Sequence, residues 1–324
     1  MNERGLLDLI ISLLPSLKIK DRIYLLQVFN KEEDLFIQSK RDIENILEHE
    51  IINFWDISEV FEKAGSIDTV CRTRSINWVS YTEEHYPPLL REIYDPPSVL
   101  YYRGILPNPE KSILGMVGTR NPSPRAAEQA YKIAGNLSRV GISVISGLAL
   151  GIDAMSHRGS LVGGAPGYAV LGSGLDEIYP SMNRPLAARI LDSGGAIISE
   201  YSPGVKPCKW NFPARNRIIS GFSRSVLVVE APEKSGALIT AGFALEQGKD
   251  LWVASCGLEP NAKYDKSGAL KLAQDGAEIV NSAKDVLDKW NIGTDANLNR
   301  EGPAFGENRG DLISAVAGFL KIEL

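Results

Sequence analysis

SILGMVGTRNPSPRAAEQAYKIAGNLSRVGISVISG, residues 112–147, is the stretch of sequence that decides the fold. An apolar run of strand length covers residues 112–117, a helical pattern covers residues 124–139, and a second apolar run covers residues 142–146. The order strand, helix, strand predicts a βαβ unit, in which the two strands lie parallel and the helix covers one face of the sheet.

The same alternation continues through most of the remaining chain. Further apolar runs predict strands at residues 167–171, 196–199, 225–229 and 250–254. Helical patterns lie between and after these runs, near residues 152–162, 183–192, 213–221, 237–247 and 268–275. Strands that are apolar at nearly every position are typical of a parallel sheet covered on both faces. The sequence therefore predicts an α/β fold with a doubly wound, mostly parallel sheet.

The N-terminal part of the chain has a different pattern. Five apolar residues of its first segment recur at helical spacing: Leu6, Leu9, Ile10, Leu13 and Leu14. Similar segments, separated by short polar breaks, follow up to about residue 61. We predict a small all-helical domain over residues 1–80 and, after a proline-rich segment, the α/β domain over residues 81–290. Residues 291–324 are predicted to form a flexible linker, rich in Asn, Gly and charge, and a short helix.

Composition limits the possible partners and sites. The formal net charge is −5, whereas a protein that coats nucleic acid over its whole surface is usually basic, so any such site here must be a local patch. The three cysteines and three histidines are scattered, and we predict no disulfide, metal site or cofactor. The chain has no signal-peptide pattern and no apolar span of about 18 residues, so we expect a cytoplasmic protein without a membrane segment.

One segment combines basic and aromatic residues. Between residues 199 and 224, the aromatic residues Trp210 and Phe212 have Glu200 as the only acidic neighbour and five cations around them: Lys206, Lys209, Arg215, Arg217 and Arg224. Cations follow a phosphodiester backbone and aromatic faces stack on bases, so the combination favours single-stranded nucleic acid over a small-molecule substrate. Farther along, Ser235 and Gly236 begin a predicted helix, whose amino end favours an anion.

Ligands of a parallel sheet bind outside the carboxyl ends of its strands. The loops expected at that edge include residues 118–123, 146–153, 171–180, 200–217 and 230–240. Structural interpretations of their residues remain open at this point. Each loop glycine can serve only to turn the chain, Arg215 and Arg217 can be salt-bridge partners, and Trp210 and Phe212 can pack in the core.

The sequence does not match the nucleotide-binding motifs of dehydrogenases and ATPases. Glu177 occupies the third-glycine position of the best GxGxxG candidate, and the phosphate-loop pattern GxxxxGK[ST] is absent from the sequence. Asp153 and His157 are spaced to share one helix face, but no third metal ligand lies nearby in sequence, which favours capping and packing roles. Asp176 and Glu230 have no identifiable nucleophile or base partner. We therefore predict no catalytic residue.

Four motifs, in this order, resemble the DNA-processing protein A family, also called DprA or Smf. They are VGTR at residues 117–120, SGLALGID at 146–153, KWNFPARNR at 209–217 and SGALITA at 235–241. The resemblance covers about residues 80–285 and implies an extended Rossmann-like core, preceded by a helical domain of the sterile-alpha-motif type. It also implies binding of single-stranded DNA, dimerisation through the core, and loading of the RecA recombinase during natural transformation. No enzymatic activity is expected.

Carried onto this sequence, the resemblance implies a DNA pocket of ten residues. Within it, Lys209 would contact phosphate and Phe212 would stack on a base. The complete set is Gly118, Thr119, Arg120, Ser146, Gly147, Lys209, Phe212, Arg215, Asn216 and Arg217.

The chain departs from the family pattern at three places. Ser156 precedes His157 where the family typically has alanine, residues 254–257 read ASCG where a VPG turn is usual, and residues 311–324 are too few for the winged-helix domain of many members. A nucleotide-sensing or nucleotide-processing enzyme of the same fold superclass, similar to the phosphoribohydrolases, is the alternative. Ser235 and Gly236 stand where that group has a glycine pair, and its paired acid is not in register.

Overall fold

The computed structural model describes residues 6–52, 56–259 and 263–293. Within these ranges, nine strands form one sheet in the order β1-β2-β6-β5-β4-β3-β7-β8-β9. The strands are β1 (Asn77–Ser80), β2 (Val99–Gly104), β3 (Ile113–Val117), β4 (Ser143–Ser146), β5 (Tyr168–Leu171), β6 (Ala196–Ser199), β7 (Ser225–Val228), β8 (Asp250–Ala254) and β9 (Glu278–Val280). All neighbouring pairs from β6 to β9 are parallel, and β2 pairs antiparallel with both β1 and β6.

Among the described residues, five helices precede the sheet, and the others connect or follow its strands. The first group is α1 (Leu7–Leu13), α2 (Ile19–Val28), α3 (Glu32–Phe36), α4 (Lys40–Leu47) and α5 (Ile57–Thr73). The second is α6 (Pro88–Arg91), α7 (Pro124–Arg139), α8 (Ile152–Gly163), α9 (Arg184–Asp192), α10 (Asn211–Phe222), α11 (Gly236–Glu246), α12 (Ser267–Gln274) and α13 (Ala283–Lys289). No helix in the described ranges is long and apolar enough to span a membrane.

The central strands are covered on both faces. Side chains alternate along a strand, so Ile113 and Val117 of β3 pack with α10 and α11, while Leu114 and Met116 pack on the other face with α7 and α13. The helices α1 to α5 do not stand apart from the sheet. Their buried leucines and isoleucines form one continuous core with residues of β2 and β6, such as Tyr101.

The predicted fold class is confirmed: the sheet is doubly wound and mostly parallel, and helices occupy the N-terminal region. The structure adds strands that the pattern did not reveal, because β1 and β9 are edge strands of only four and three residues. β1 lies within the predicted all-helical range 1–80. The boundaries at residues 80 and 290 remain predictions, and the predicted linker and short helix lie, from residue 294 onward, outside the described residues.

Candidate nucleic-acid interface

A crevice lies between two neighbouring strands, β3 and β7, whose following connections run to opposite sides of the sheet. β3 continues through α7 to β4, whereas its neighbour β7 continues through α11 to β8 on the other side. The carboxyl ends of two such strands leave a gap that receives ligands in doubly wound sheets. Here the gap belongs to an open crevice with a volume of about 1130 Å³.

The loop after β3 forms one wall of the crevice. The backbone N–H of Thr119 donates to the carbonyl of Glu230 at 2.7 Å, and the Thr119 carbonyl accepts from the N–H of Ile152 at 3.1 Å. A Cβ on Gly118 would lie 2.6 Å from Cγ1 of Ile152, so the close approach requires glycine. This backbone anchoring leaves the side chain of Arg120 exposed along the crevice.

Two aromatic rings lie opposite this loop. Phe212 lies in the first turn of α10, which begins at Asn211, two residues earlier than predicted. Its ring centroid is 5.6 Å from that of Tyr179, and the guanidinium carbon of Arg120 lies 5.8 Å from the Phe212 centroid. All three side chains line the crevice. A cation and two rings within contact distance form a surface on which a base can stack beside a bound phosphate.

A second cation comes from the segment before α10. Lys209 is exposed and lines the crevice, and its Nζ lies 4.2 Å from the ring centroid of Trp210. The neighbouring Lys206 is instead paired with Glu177 at 3.0 Å. Lys209 is therefore better placed than Lys206 for an incoming anion.

Arg215 is largely buried within the crevice wall. Its Nη1 donates to the carbonyl of Gly147 at 3.0 Å and also to the carbonyl of Val170. The carboxylate of Asp153 accepts from the N–H groups of Gly147 and Ala149, at 3.0 and 3.4 Å. Burial lowers the pKa of Arg215 to about 10, so the guanidinium is still charged at neutral pH, and Asp153 opposes this shift. Arg215 thus ties the loop after β4 to the start of α10.

Arg217 has a structural environment of a different kind. Its two terminal nitrogens donate to the two oxygens of Glu200, both at 2.7 Å, and its Nε lies 3.1 Å from a carboxylate oxygen of Asp95. Only 7% of Arg217 is exposed. Burial opposes its charge, but Glu200 and Asp95 outweigh burial and raise the pKa of Arg217. Arg217 is not among the residues that line the crevice.

The structure thus divides the ten predicted pocket residues. Seven line the crevice, namely Gly118, Thr119, Arg120, Lys209, Phe212, Arg215 and Asn216. Ser146, Gly147 and Arg217 lie behind its wall, where the Ser146 hydroxyl donates to the carbonyl of Met116 at 2.6 Å. The Asn216 side chain donates to the carbonyl of Gly236 at 3.0 Å and thereby connects α10 with α11. Ser146 and Arg217 thus have hydrogen-bond partners within the protein, and contact of either residue with DNA remains a prediction.

Sequence reasoning missed Tyr179 as a site residue. It is 44% exposed and lies at the end of the loop after β5, one of the strand-exit loops that the sequence predicts. An aromatic residue at the end of such a loop was the available signal. The amino end of α11, with Lys234, Ser235 and Gly236, also lines the crevice.

The carboxylates that the sequence left without partners are engaged in the structure. Glu230 is buried and accepts from the N–H and hydroxyl of Ser123, at 2.8 and 2.6 Å, and it pairs with Lys266 at 3.3 Å. Asp176 accepts from the N–H of Gly204 at 2.9 Å. His157 is completely buried, and burial together with the charge of Arg215 lowers the pKa of His157 to about 3.

The family model of DNA recombination-mediator protein A matches residues 77–291. The chain is 38% identical over 237 residues to the DNA processing protein DprA of Bacillus subtilis. The aligned region covers 72% of this chain and 78% of that protein. The chain is 40% identical over 210 residues to DprA of Streptococcus pneumoniae, covering 64% and 72%. Protein Smf of Synechocystis is 47% identical over 206 residues, which span 51% of that protein.

Two solved structures are similar. The X-ray structure of DprA from Streptococcus pneumoniae aligns with a TM-score of 0.67 and 31% identity, covering 87% of this chain and 96% of that chain. The structure of DNA processing protein A from Helicobacter pylori aligns with a TM-score of 0.57 and 26% identity, covering 66% and 95%, and was determined for the single-stranded DNA binding mode of that protein.

Two substitutions test whether the buried Arg217 and the exposed Arg120 contribute differently to stability. Arg217→Met leaves Glu200 without its bidentate partner, and we expect the free energy of unfolding to fall by about 3 kcal/mol. Arg120→Met removes only an exposed guanidinium, and we expect the free energy of unfolding to change by no more than about 0.5 kcal/mol. Urea unfolding of both variants checks this, and equal losses would contradict the division of the site.

His157 predicts a pH dependence of stability. In the unfolded state His157 has its ordinary pKa of about 6.5. In the folded protein the same imidazole stays neutral down to about pH 3. Stability must therefore fall as the pH falls below about 6.5. Between pH 7.5 and 5.5 the wild type should lose about 1.4 kcal/mol more than His157→Leu in urea unfolding. The same pH dependence in both proteins would exclude a buried neutral histidine.

Proposed function

Because this chain belongs to the DNA recombination-mediator protein A family, we propose that it binds single-stranded DNA in the crevice at the carboxyl ends of β3 and β7. The proposal includes largely sequence-independent binding and a role in handing the strand to a recombinase.

Alternating cations and aromatic rings are the observation that carries the proposal. Arg120 lies over the Phe212 ring, Tyr179 lies beside it, and Lys209 lines the same crevice. In a duplex, each base is stacked on its neighbours and its faces are closed to side chains. A single strand exposes those faces, so rings next to phosphate-binding cations favour single strands.

The crevice is open to solvent, which suits a polymer that must enter and leave it. Its lining includes Arg120, Lys209 and the amino end of α11, so cations and a helix terminus are available to a bound strand.

Binding without sequence preference follows from the kind of contacts available. Arg120 and Lys209 would neutralise phosphates, and the rings would stack on any base, since every base has a π-face. The amide of Asn216 could read a base edge, but it is already bonded to the carbonyl of Gly236. We therefore expect affinity to depend strongly on salt and weakly on sequence.

We further propose that the site is not catalytic. Glu230 and Asp153, the buried carboxylates nearest the strand ends, are held by Lys266, Ser123 and backbone N–H groups. The alternative, a nucleotide-sensing or nucleotide-processing enzyme, is favoured by one observation, the amino end of α11 with Lys234 in the same crevice. Turnover of a nucleotide would decide for that alternative.

The partners we propose are a second copy of the chain and a RecA-type recombinase, in the cytoplasm of a cell that takes up DNA. These partners rest on membership of the family, which implies dimerisation through the core and loading of a recombinase.

Charge reversal tests the site. We expect Arg120→Glu with Lys209→Glu to weaken binding of labelled oligo-dT by at least about 100-fold, because two phosphate contacts become repulsive. Loss of two contacts should also reduce the salt slope of log K by roughly 1.4. Wild-type protein should bind oligo-dT more tightly than a duplex of equal length and turn over no member of a nucleotide panel.

The matched control reverses two exposed lysines elsewhere. Lys111 lies at the amino-terminal edge of the strands and Lys132 on α7, and their change to Glu alters the net charge by the same amount. The control should bind nearly as the wild type does. Unchanged oligo-dT binding in the Arg120/Lys209 variant would refute the site.

A further inference from the structure

The start of α10 carries an aromatic side chain that the proposed crevice does not use. Trp210 is the N-cap residue of α10 and is 69% exposed. Tryptophan is highly buried on average, so an indole that remains mostly in solvent beside a ligand site marks a contact surface. Its ring contact within the described residues is the ammonium group of Lys209, 4.2 Å from the ring centroid.

Trp210 and Phe212 point to different sides of the helix start. Two residues along a helix correspond to about 200° of rotation, so side chains at positions 210 and 212 project in nearly opposite directions. Accordingly Phe212 lines the crevice and Trp210 does not. A strand with one base on Phe212 must leave the crevice before another of its bases reaches Trp210.

Lys209 connects the two places. Its side chain lines the crevice, and its Nζ also lies over the Trp210 ring. An ammonium group covers part of one indole face and leaves the remaining surface open, in agreement with the 69% exposure. A phosphate held by Lys209 would therefore lie between a base at Phe212 and a base at Trp210.

We propose that Trp210 is a second base-stacking platform, which binds a nucleotide of the same DNA strand outside the crevice. The inference rests on the proposed function, single-stranded DNA binding. It adds a length requirement: a mononucleotide fills only the crevice, whereas a longer oligonucleotide also contacts Trp210.

The test compares long and short ligands. Oligo-dT of about 20 nucleotides and thymidine monophosphate are titrated into wild type, Trp210→Ala and Trp210→Phe. Trp210→Ala should weaken the long ligand by about 5-fold to 100-fold and leave the short one unchanged. Trp210→Phe keeps a stacking ring and should remain within about 3-fold of wild type on the long ligand.

A matched control and a spectroscopic readout accompany the titrations. Tyr94 is completely exposed and does not line the crevice, so Tyr94→Ala should leave binding unchanged. Trp252 and Trp290 are buried, at 3% exposure each. The chain has two further tryptophans, the half-buried Trp78 of β1 and Trp55, which lies outside the described residues. The contribution of Trp210 is therefore measured as the quenching by long oligo-dT that Trp210→Phe loses although that variant still binds, and we expect most of the quenching to be lost.

Each outcome has a distinct meaning. If wild type binds oligo-dT while Trp210→Ala binds as tightly and quenching does not depend on Trp210, the second platform is refuted and the proposed function stands. Equal weakening of long and short ligands would show that Trp210 acts through the crevice, which also overturns the inference. If wild type binds no oligo-dT, the proposed function fails and the inference fails with it.

Discussion

The site depends on one buried charge, the guanidinium of Arg215. It donates to the carbonyls of Gly147 and Val170, at the ends of two parallel strands, and Asp153 beside it binds the N–H groups of the Gly147 loop. A buried charge without such partners would be strongly destabilising, so the strand ends and the start of α10 are held in one arrangement. Because Phe212 lies about one turn before Arg215 on α10, fixing Arg215 also positions the Phe212 ring next to Arg120.

Burial and pairing separate cations that look alike in the sequence. Arg215 is buried and donates to backbone carbonyls, and Arg217 is buried and paired with Glu200 and Asp95. Lys206 is paired with Glu177, whereas Arg120 and Lys209 contact aromatic rings at the surface. A chain with a net charge of −5 can attract a polyanion only where cations are not compensated locally. The crevice is such a place, because, among the described residues, Arg120, Lys209 and Lys234 line it together with only two acids, Asp153 and Glu233, and Asp153 accepts from backbone N–H groups.

Much of the fold was predictable because the central strands are continuous apolar runs, and a parallel sheet collects its exit loops at one edge. The edge strands β1 and β9 were not, since runs of three or four residues carry little pattern. For the site, sequence located Arg120, Lys209 and Phe212 on the crevice. It did not show that Arg217 is buried and paired, because one of its partners, Asp95, lies far away in sequence. It also did not identify Tyr179 as a residue of the crevice.

Hydrogen–deuterium exchange with and without saturating oligo-dT tests the central claim most directly, since it locates the DNA on the backbone. We predict slower exchange in three segments that contribute side chains to the crevice, residues 118–120, 209–212 and 234–237. Exchange at the opposite edge, around residues 105–111, should not change. Protection of that edge, or DNA binding without protection of the crevice loops, would contradict a single-strand site at the ends of β3 and β7.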